Sequence, residues 1–157
     1  MGAMQRRQLL QLMAGGLALA AAATPAQQRT LVEVWKDPNC GCCADWVKHL
    51  EAQGFQVKVN DTGNTAARKR LGIPEKLGSC HTALVAGYAL EGHVPASDIR
   101  RLLKEKPQAV GLAVPGMPVG SPGMDGPAYG GRVDPYEVLL VGKDGSTRVF
   151  QRHGRRA

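Results

Sequence analysis

Three of the chain's four cysteines fall within four positions, Cys40-Gly41-Cys42-Cys43, and the fourth is Cys80. Sulfur at that density supports three chemistries. Cys40 and Cys43 have the C-x-x-C spacing of a redox couple, clustered thiolates bind soft metal, and an even cysteine count in an exported chain suits structural disulfides. Staples are the weakest of these, because Cys42–Cys43 and Cys40–Cys42 bridges between near neighbours are strained. A plain redox couple is troubled by Cys42, a third sulfur that competes for partners in exchange.

The elements that must position these sulfurs are visible on either side of them. Leu31 to Lys36 alternates apolar and polar residues and runs into Asp37-Pro38-Asn39, the pattern of a strand entering a turn. Cys43, Trp46, Val47 and Leu50 then recur at helical spacing, with Gly54 to close the helix. The cysteines therefore sit at a helix N-terminus, where unpaired N–H groups and the helix dipole favour thiolate. Thiolate is both nucleophile and metal ligand, so this location alone leaves the two chemistries open.

Further on, Phe55 to Asn60 reads as a second strand with Phe55, Val57 and Val59 on one face. Asn64 to Leu71 reads as a short basic helix stopped by Gly72 and Pro74. Residues 82–86 and 88–90 flank Gly87 as a tight hairpin. A third helix starts near Pro95, buries Ile99, Leu102 and Leu103, and ends before Pro107. Residues 108–136 interleave glycine with proline and read as one long loop without structure of its own, carrying Met117 and Met124. Residues 137–150 read as a C-terminal hairpin about Asp144-Gly145 that extends the sheet or covers an edge, followed by a basic tail, 151–157.

The resulting α/β order, β-α-β-α-β-β-α, resembles the thioredoxin-like fold, in which the turn after the first strand carries C-x-x-C. Many such proteins place a cis-proline just before the third strand, against the thiols. Here that stretch is Gly78-Ser79-Cys80-His81-Thr82. On that fold Cys80 stands where the ring would, and four sulfurs converge. Four thiolates at close quarters repel one another unless protonated, oxidised or neutralised by metal. Soft sulfur selects Cu(I), zinc or iron–sulfur chemistry, and thioether sulfur favours Cu(I), so Met117 and Met124 tilt the choice toward copper. Zinc and silver remain as lesser alternatives, since structural zinc sites use separated C-x-x-C pairs or histidines.

Four stretches, Cys40-Gly41-Cys42-Cys43, Ser79-Cys80-His81-Thr82, Gly92-His93-Val94-Pro95-Ala96 and Gly116 to Met124, give the chain from about Leu31 to His153 a close likeness. It resembles the CopG-type periplasmic proteins of bacterial copper-resistance systems. The resemblance implies a thioredoxin-like domain binding Cu(I) through Cys40, Cys42, Cys43 and Cys80, as a multinuclear cluster, with a redox use of the site. Its partners would be copper ions and other periplasmic copper-handling proteins. Two functions stay open: a copper-binding protein without turnover, and a thiol–disulfide or copper-linked oxidoreductase using Cys40/Cys43.

The remaining candidates are weighed by position. His81 follows Cys80 and either ligates or faces away, since neighbours on a strand point to opposite faces. Met117 and Met124 are either ligands or loop-covering side chains. His93 reads as a turn or cap residue, His49 as a solvated side chain, and His153 carries no case. Trp35 and Trp46 read as core aromatics that keep the site dry.

At the N-terminus, Arg6-Arg7 leads into an apolar run from Leu9 to Ala23 and then Thr24-Pro25-Ala26. This is the pattern of a cleaved signal, residues 1–26, with Arg6-Arg7 resembling the start of a twin-arginine signal. The run is too short and too rich in glycine and alanine for a membrane span of about 20 residues. One domain, 27–157, is expected in the periplasm. Losing Arg6 and Arg7 lowers the formal net charge of +7 to +5. That mild excess comes with no aromatic platform or reader motif, which excludes a nucleic-acid binder.

Overall fold

The computed structural model describes residues 28–154. The expected signal segment and the last three residues of the expected tail lie outside these.

Among the described residues the fold is mixed α/β. In chain order the elements are β1 (Leu31–Lys36), α1 (Gly41–Ala52), β2 (Gln56–Asn60), α2 (Thr65–Arg70), β3 (His81–Val85), β4 (Tyr88–Glu91) and α3 (Ala96–Glu105). Then follow β5 (Gly111–Ala113), β6 (Tyr136–Val141) and β7 (Thr147–His153), with short 3-10 turns at Glu75–Leu77 and Pro127–Tyr129. The seven strands form one sheet in the order β2-β1-β3-β4-β5-β6-β7.

The alternation in β1 has the expected result: Val32 and Val34 are buried while Leu31 is exposed. They share one core with Trp46 and Leu50 of α1, Ile99 and Leu102 of α3, and Ala83, Val85 and Leu90 of the central hairpin. That hairpin turns on Ala86 and Gly87, both at positive φ, the conformation that matches the twist of two-residue connections. β1 runs antiparallel to β3 with Lys36 opposite His81, so the residue before β3 lies beside the turn that follows β1. This register joins the two parts of the site.

Several expectations need correction. The segment 108–136 is not a structureless loop: β5 lies within it, parallel to β4 and antiparallel to β6, and links the C-terminal hairpin to the sheet. The glycine that opens β5 marks close packing, since a Cβ on Gly111 would run into the Ala89 carbonyl group. The basic tail begins later than expected, because residues 151–153 complete β7 opposite Tyr136–Val138. In the second strand Phe55 is buried just ahead of β2, but Val59 is exposed because β2 is the edge strand. Trp35 is not a core aromatic: it is partly exposed under the Arg70 guanidinium, 4.8 Å from the ring centre.

Candidate metal centre

The turn after β1 is built by Asp37, whose carboxylate accepts the Asn39 N–H at 2.8 Å and whose carbonyl accepts the Cys40 N–H at 3.1 Å. Cys40 thereby becomes the N-cap of α1 in an extended conformation, with no side-chain cap bond, and Cys42 and Cys43 occupy the first turn. Cys43 begins the buried stripe and is fully covered. Cys40 and Cys43 are joined in a disulfide, while Cys42 and Cys80 are free. The Cys42 sulfur is 3.6 Å from Cys40 Sγ and 3.8 Å from Cys80 Sγ. All four sulfurs lie within 4.8 Å of one another.

Cys80 is held in place without a proline. Glu91 is fully buried, and its Oε1 accepts from Arg68 Nε at 2.8 Å and from the Ser79 N–H at 2.7 Å. Its Oε2 accepts the Thr82 hydroxyl at 2.6 Å. The Ser79 carbonyl in turn accepts from Arg68 at 2.6 Å and from Asn64 Nδ2 at 3.1 Å. Both backbone groups of Ser79 are therefore tied to one buried ion pair, and the next residue is fixed in space. Burial holds the Glu91 carboxyl above its ordinary value, against the pull of Thr82, Ser79 and Arg68.

Two imidazoles close the inner side. His81 and His93 are both fully buried, with ring centres 5.0 Å apart. His93 Nε2 is 3.2 Å from Cys80 Sγ and His81 Nδ1 is 3.4 Å from it. His93 Nδ1 donates to the Pro122 carbonyl at 2.8 Å. The His81 ring lies 4.3 Å from Trp46, and its Nε2 is buried without a hydrogen-bond partner. Burial pushes the Cys80 thiol up to about 12, helped by the Cys42 sulfur. Burial also pushes His81 well below its usual 6.5 and His93 below it. At neutral pH this interior holds a protonated Cys80 thiol and neutral imidazoles.

The segment with the methionines packs against the start of α1 and against Ser79. Gly123 packs against the start of α1, where a Cβ would lie 2.6 Å from the Cys42 carbonyl and 2.9 Å from Trp46 N, at a φ of +89 that itself favours glycine. Ser79 Oγ donates to the Gly116 carbonyl at 2.5 Å. Met124 Sδ accepts from the Tyr129 hydroxyl at 3.3 Å, and Met117 is 51% exposed.

The surroundings of two histidines differ from what their positions suggested. His93 does lie in the bend before α3, but it is no bystander there: the run Glu91 to Ala96 is buried throughout, and its ring meets a carbonyl 29 residues away. His49 is half-buried, and its Nε2 accepts the Ala96 N–H at 3.2 Å, capping α3. His153 meets Asp98 Oδ2 at 2.6 Å and stacks on Tyr136. His81 does not turn away from Cys80, because Cys80 precedes β3 and strand alternation does not separate them. Trp46 is buried as expected and donates to the Val94 carbonyl.

Among the described residues no helix is long and apolar enough to cross a membrane. The signature of a family described as "Protein of unknown function, DUF411" matches residues 77–124, from just before Cys80 to Met124. No curated protein matches the chain. Two solved structures, of a copper resistance protein CopG in form 2 and form 1, are each 46% identical to it with a TM-score of 0.74. The first aligns over 81% of this chain and 100% of the other, the second over 80% and 98%.

Proposed function

We propose, because this chain belongs to the family of the copper resistance protein CopG, that it binds Cu(I) through Cys40, Cys42, Cys43 and Cys80 and serves copper tolerance by holding the ion. The observation that carries this reading is the convergence of four sulfurs within 4.8 Å of one another. Soft thiolates prefer Cu(I) among the available cations, and the resemblance to the CopG-type proteins implies that several ions share the four sulfurs. Loading requires the Cys40–Cys43 disulfide to be opened by two electrons and two protons, after which each thiol loses its proton to solvent as its sulfur ligates copper. In this reading the domain is thioredoxin-like through its first four strands and three helices. The chain is exported to the periplasm by its N-terminal signal and exchanges copper there with other copper-handling proteins. Met117, exposed on the covering loop, and Met124 serve as transient ligands.

A second reading rests on the disulfide itself. A reduced Cys40/Cys43 pair carries two electrons and two protons. Passing them to a substrate disulfide yields two thiols; passing the electrons to two Cu(II) ions yields two Cu(I) and releases the protons. Either would make the protein an oxidoreductase.

Titrating the reduced protein with Cu(I) against a competing chelator tests the first reading. At least one tightly held copper per chain is expected, and less than one overturns it. Disulfide exchange on insulin that is abolished by Cys40→Ser and retained in Cys42→Ser would establish the second.

A further inference from the structure

The four-sulfur reading uses only one side of Cys80. The other side faces His93 Nε2 at 3.2 Å and His81 Nδ1 at 3.4 Å, and these three ligand atoms lie within 4.8 Å of one another. The Pro122 carbonyl can only accept, so the proton of the neutral His93 ring is on Nδ1 and the Nε2 lone pair is aimed at the sulfur. A backbone carbonyl that fixes one ring nitrogen as donor and frees the other is the arrangement that orients metal-ligating histidines. A cation about 2.3 Å from sulfur and about 2.0 Å from an imidazole nitrogen separates the two donors by about 3.5 Å at the tetrahedral angle. Both observed separations are close to that value.

His81 supplies the third donor through Nδ1. Its Nε2, which then carries the ring proton, is buried with no hydrogen-bond partner, so no fixed acceptor orients this ring as Pro122 orients His93. None of the three residues takes part in the Cys40–Cys43 disulfide, and Cys80 is free while that bond is closed.

We infer that Cys80, His81 and His93 form a second binding set for one copper ion, sharing Cys80 with the thiol cluster and remaining competent when Cys40 and Cys43 are joined. The identity of the ion rests on the copper reading above; the donor set rests on the geometry. Imidazole is a good donor to copper beside soft sulfur, so this mixed compartment keeps an ion in the protein when oxidation has withdrawn two of the four thiols. No electron transfer is required for it.

The test uses the full chain with the disulfide intact, titrated with Cu(I) against a competing chelator, with X-ray absorption on the copper-loaded protein. One copper per chain is expected, with imidazole nitrogen and sulfur in its first shell. Cys42→Ser should retain that ion, and His93→Gln should hold it at least tenfold more weakly. Sulfur-only ligation, no copper on the disulfide form, or an unchanged His93→Gln affinity each overturns the inference. Should His93→Gln fail to fold, the X-ray absorption of the unsubstituted protein decides alone. A reduced protein that binds copper while the disulfide form binds none refutes this set and leaves the four-cysteine reading standing. A reduced protein that binds none refutes both.

Discussion

Arg68 Nε and Glu91 Oε1 meet at 2.8 Å in a site where the carboxylate is fully buried. The pair is the anchor of Ser79, and through it of Cys80. Glu91→Ala should leave Arg68, with its side chain only 12% exposed, as an uncompensated charge. A loss of stability of about 3–5 kcal/mol is expected from urea unfolding of the metal-free protein. A loss below about 1 kcal/mol, the range of exposed pairs, would show that the pair does not anchor this region.

Acid should destabilise the metal-free protein before the carboxylates titrate. His81 and His93 have folded values below 6.5, so the unfolded chain takes up protons at a pH where the folded chain does not. Their contribution is fully present above 6.5 and is lost as pH falls through the lowered folded values. Each adds a slope approaching about 1.4 kcal/mol per pH unit within that window. Glu91 acts with the opposite sign, since its folded value is raised. Urea unfolding between pH 7.5 and 5.5 should show stability falling with pH, and His93→Gln should flatten the curve. An unchanged slope in that variant would mean that His93 is already protonated in the fold.

Gly123→Ala should loosen the cover of the cluster. The added Cβ would meet the Cys42 carbonyl and Trp46 N on a backbone at positive φ, and backbone atoms do not yield as flexible side-chain ends do. With the disulfide closed, alkylation of Cys42 and Cys80 should be several-fold faster than in the parent protein. Equal labelling rates would show that the segment around Gly123 does not shield the thiols.

Cys80→Ser separates the two functional readings. Removing it deletes the sulfur shared by the thiol cluster and the histidines while leaving the Cys40/Cys43 pair intact. Copper bound per reduced chain should fall by at least one equivalent, and any disulfide-exchange activity should persist. Copper content equal to that of the parent would exclude Cys80 as a ligand.

How much of this could be read in advance depended on the range of the interaction. The buried stripe Cys43, Trp46, Val47 and Leu50 is set by spacing within one helix, so the cysteines could be placed at its N-terminus from the chain alone. Cys80 was reachable only through the resemblance to the thioredoxin-like fold, which set it where many such proteins place a cis-proline; the β1–β3 register brings it beside the first turn. His93 was not. Its surroundings come from Pro122 and from Cys80, residues with no local pattern linking them to it. β5 was missed for a related reason: Gly111 looks like a loop residue, and what selects it is the backbone of Ala89 on the neighbouring strand.

The Lys36–His81 register has a consequence in time as well as space. Cys40, Cys42 and Cys43 are neighbours in any conformation of the chain, whereas Cys80 joins them only after β3 has paired with β1. Contacts of that sequence separation form late, because a long loop must close first. A chain that meets copper before that pairing offers three unsorted thiols; one that meets it afterwards offers a finished site. On the proposed copper reading, the order of folding and metal arrival therefore decides which complex forms, and a chain kept from copper until folded reaches the four-sulfur arrangement without first having to unbind a wrong one.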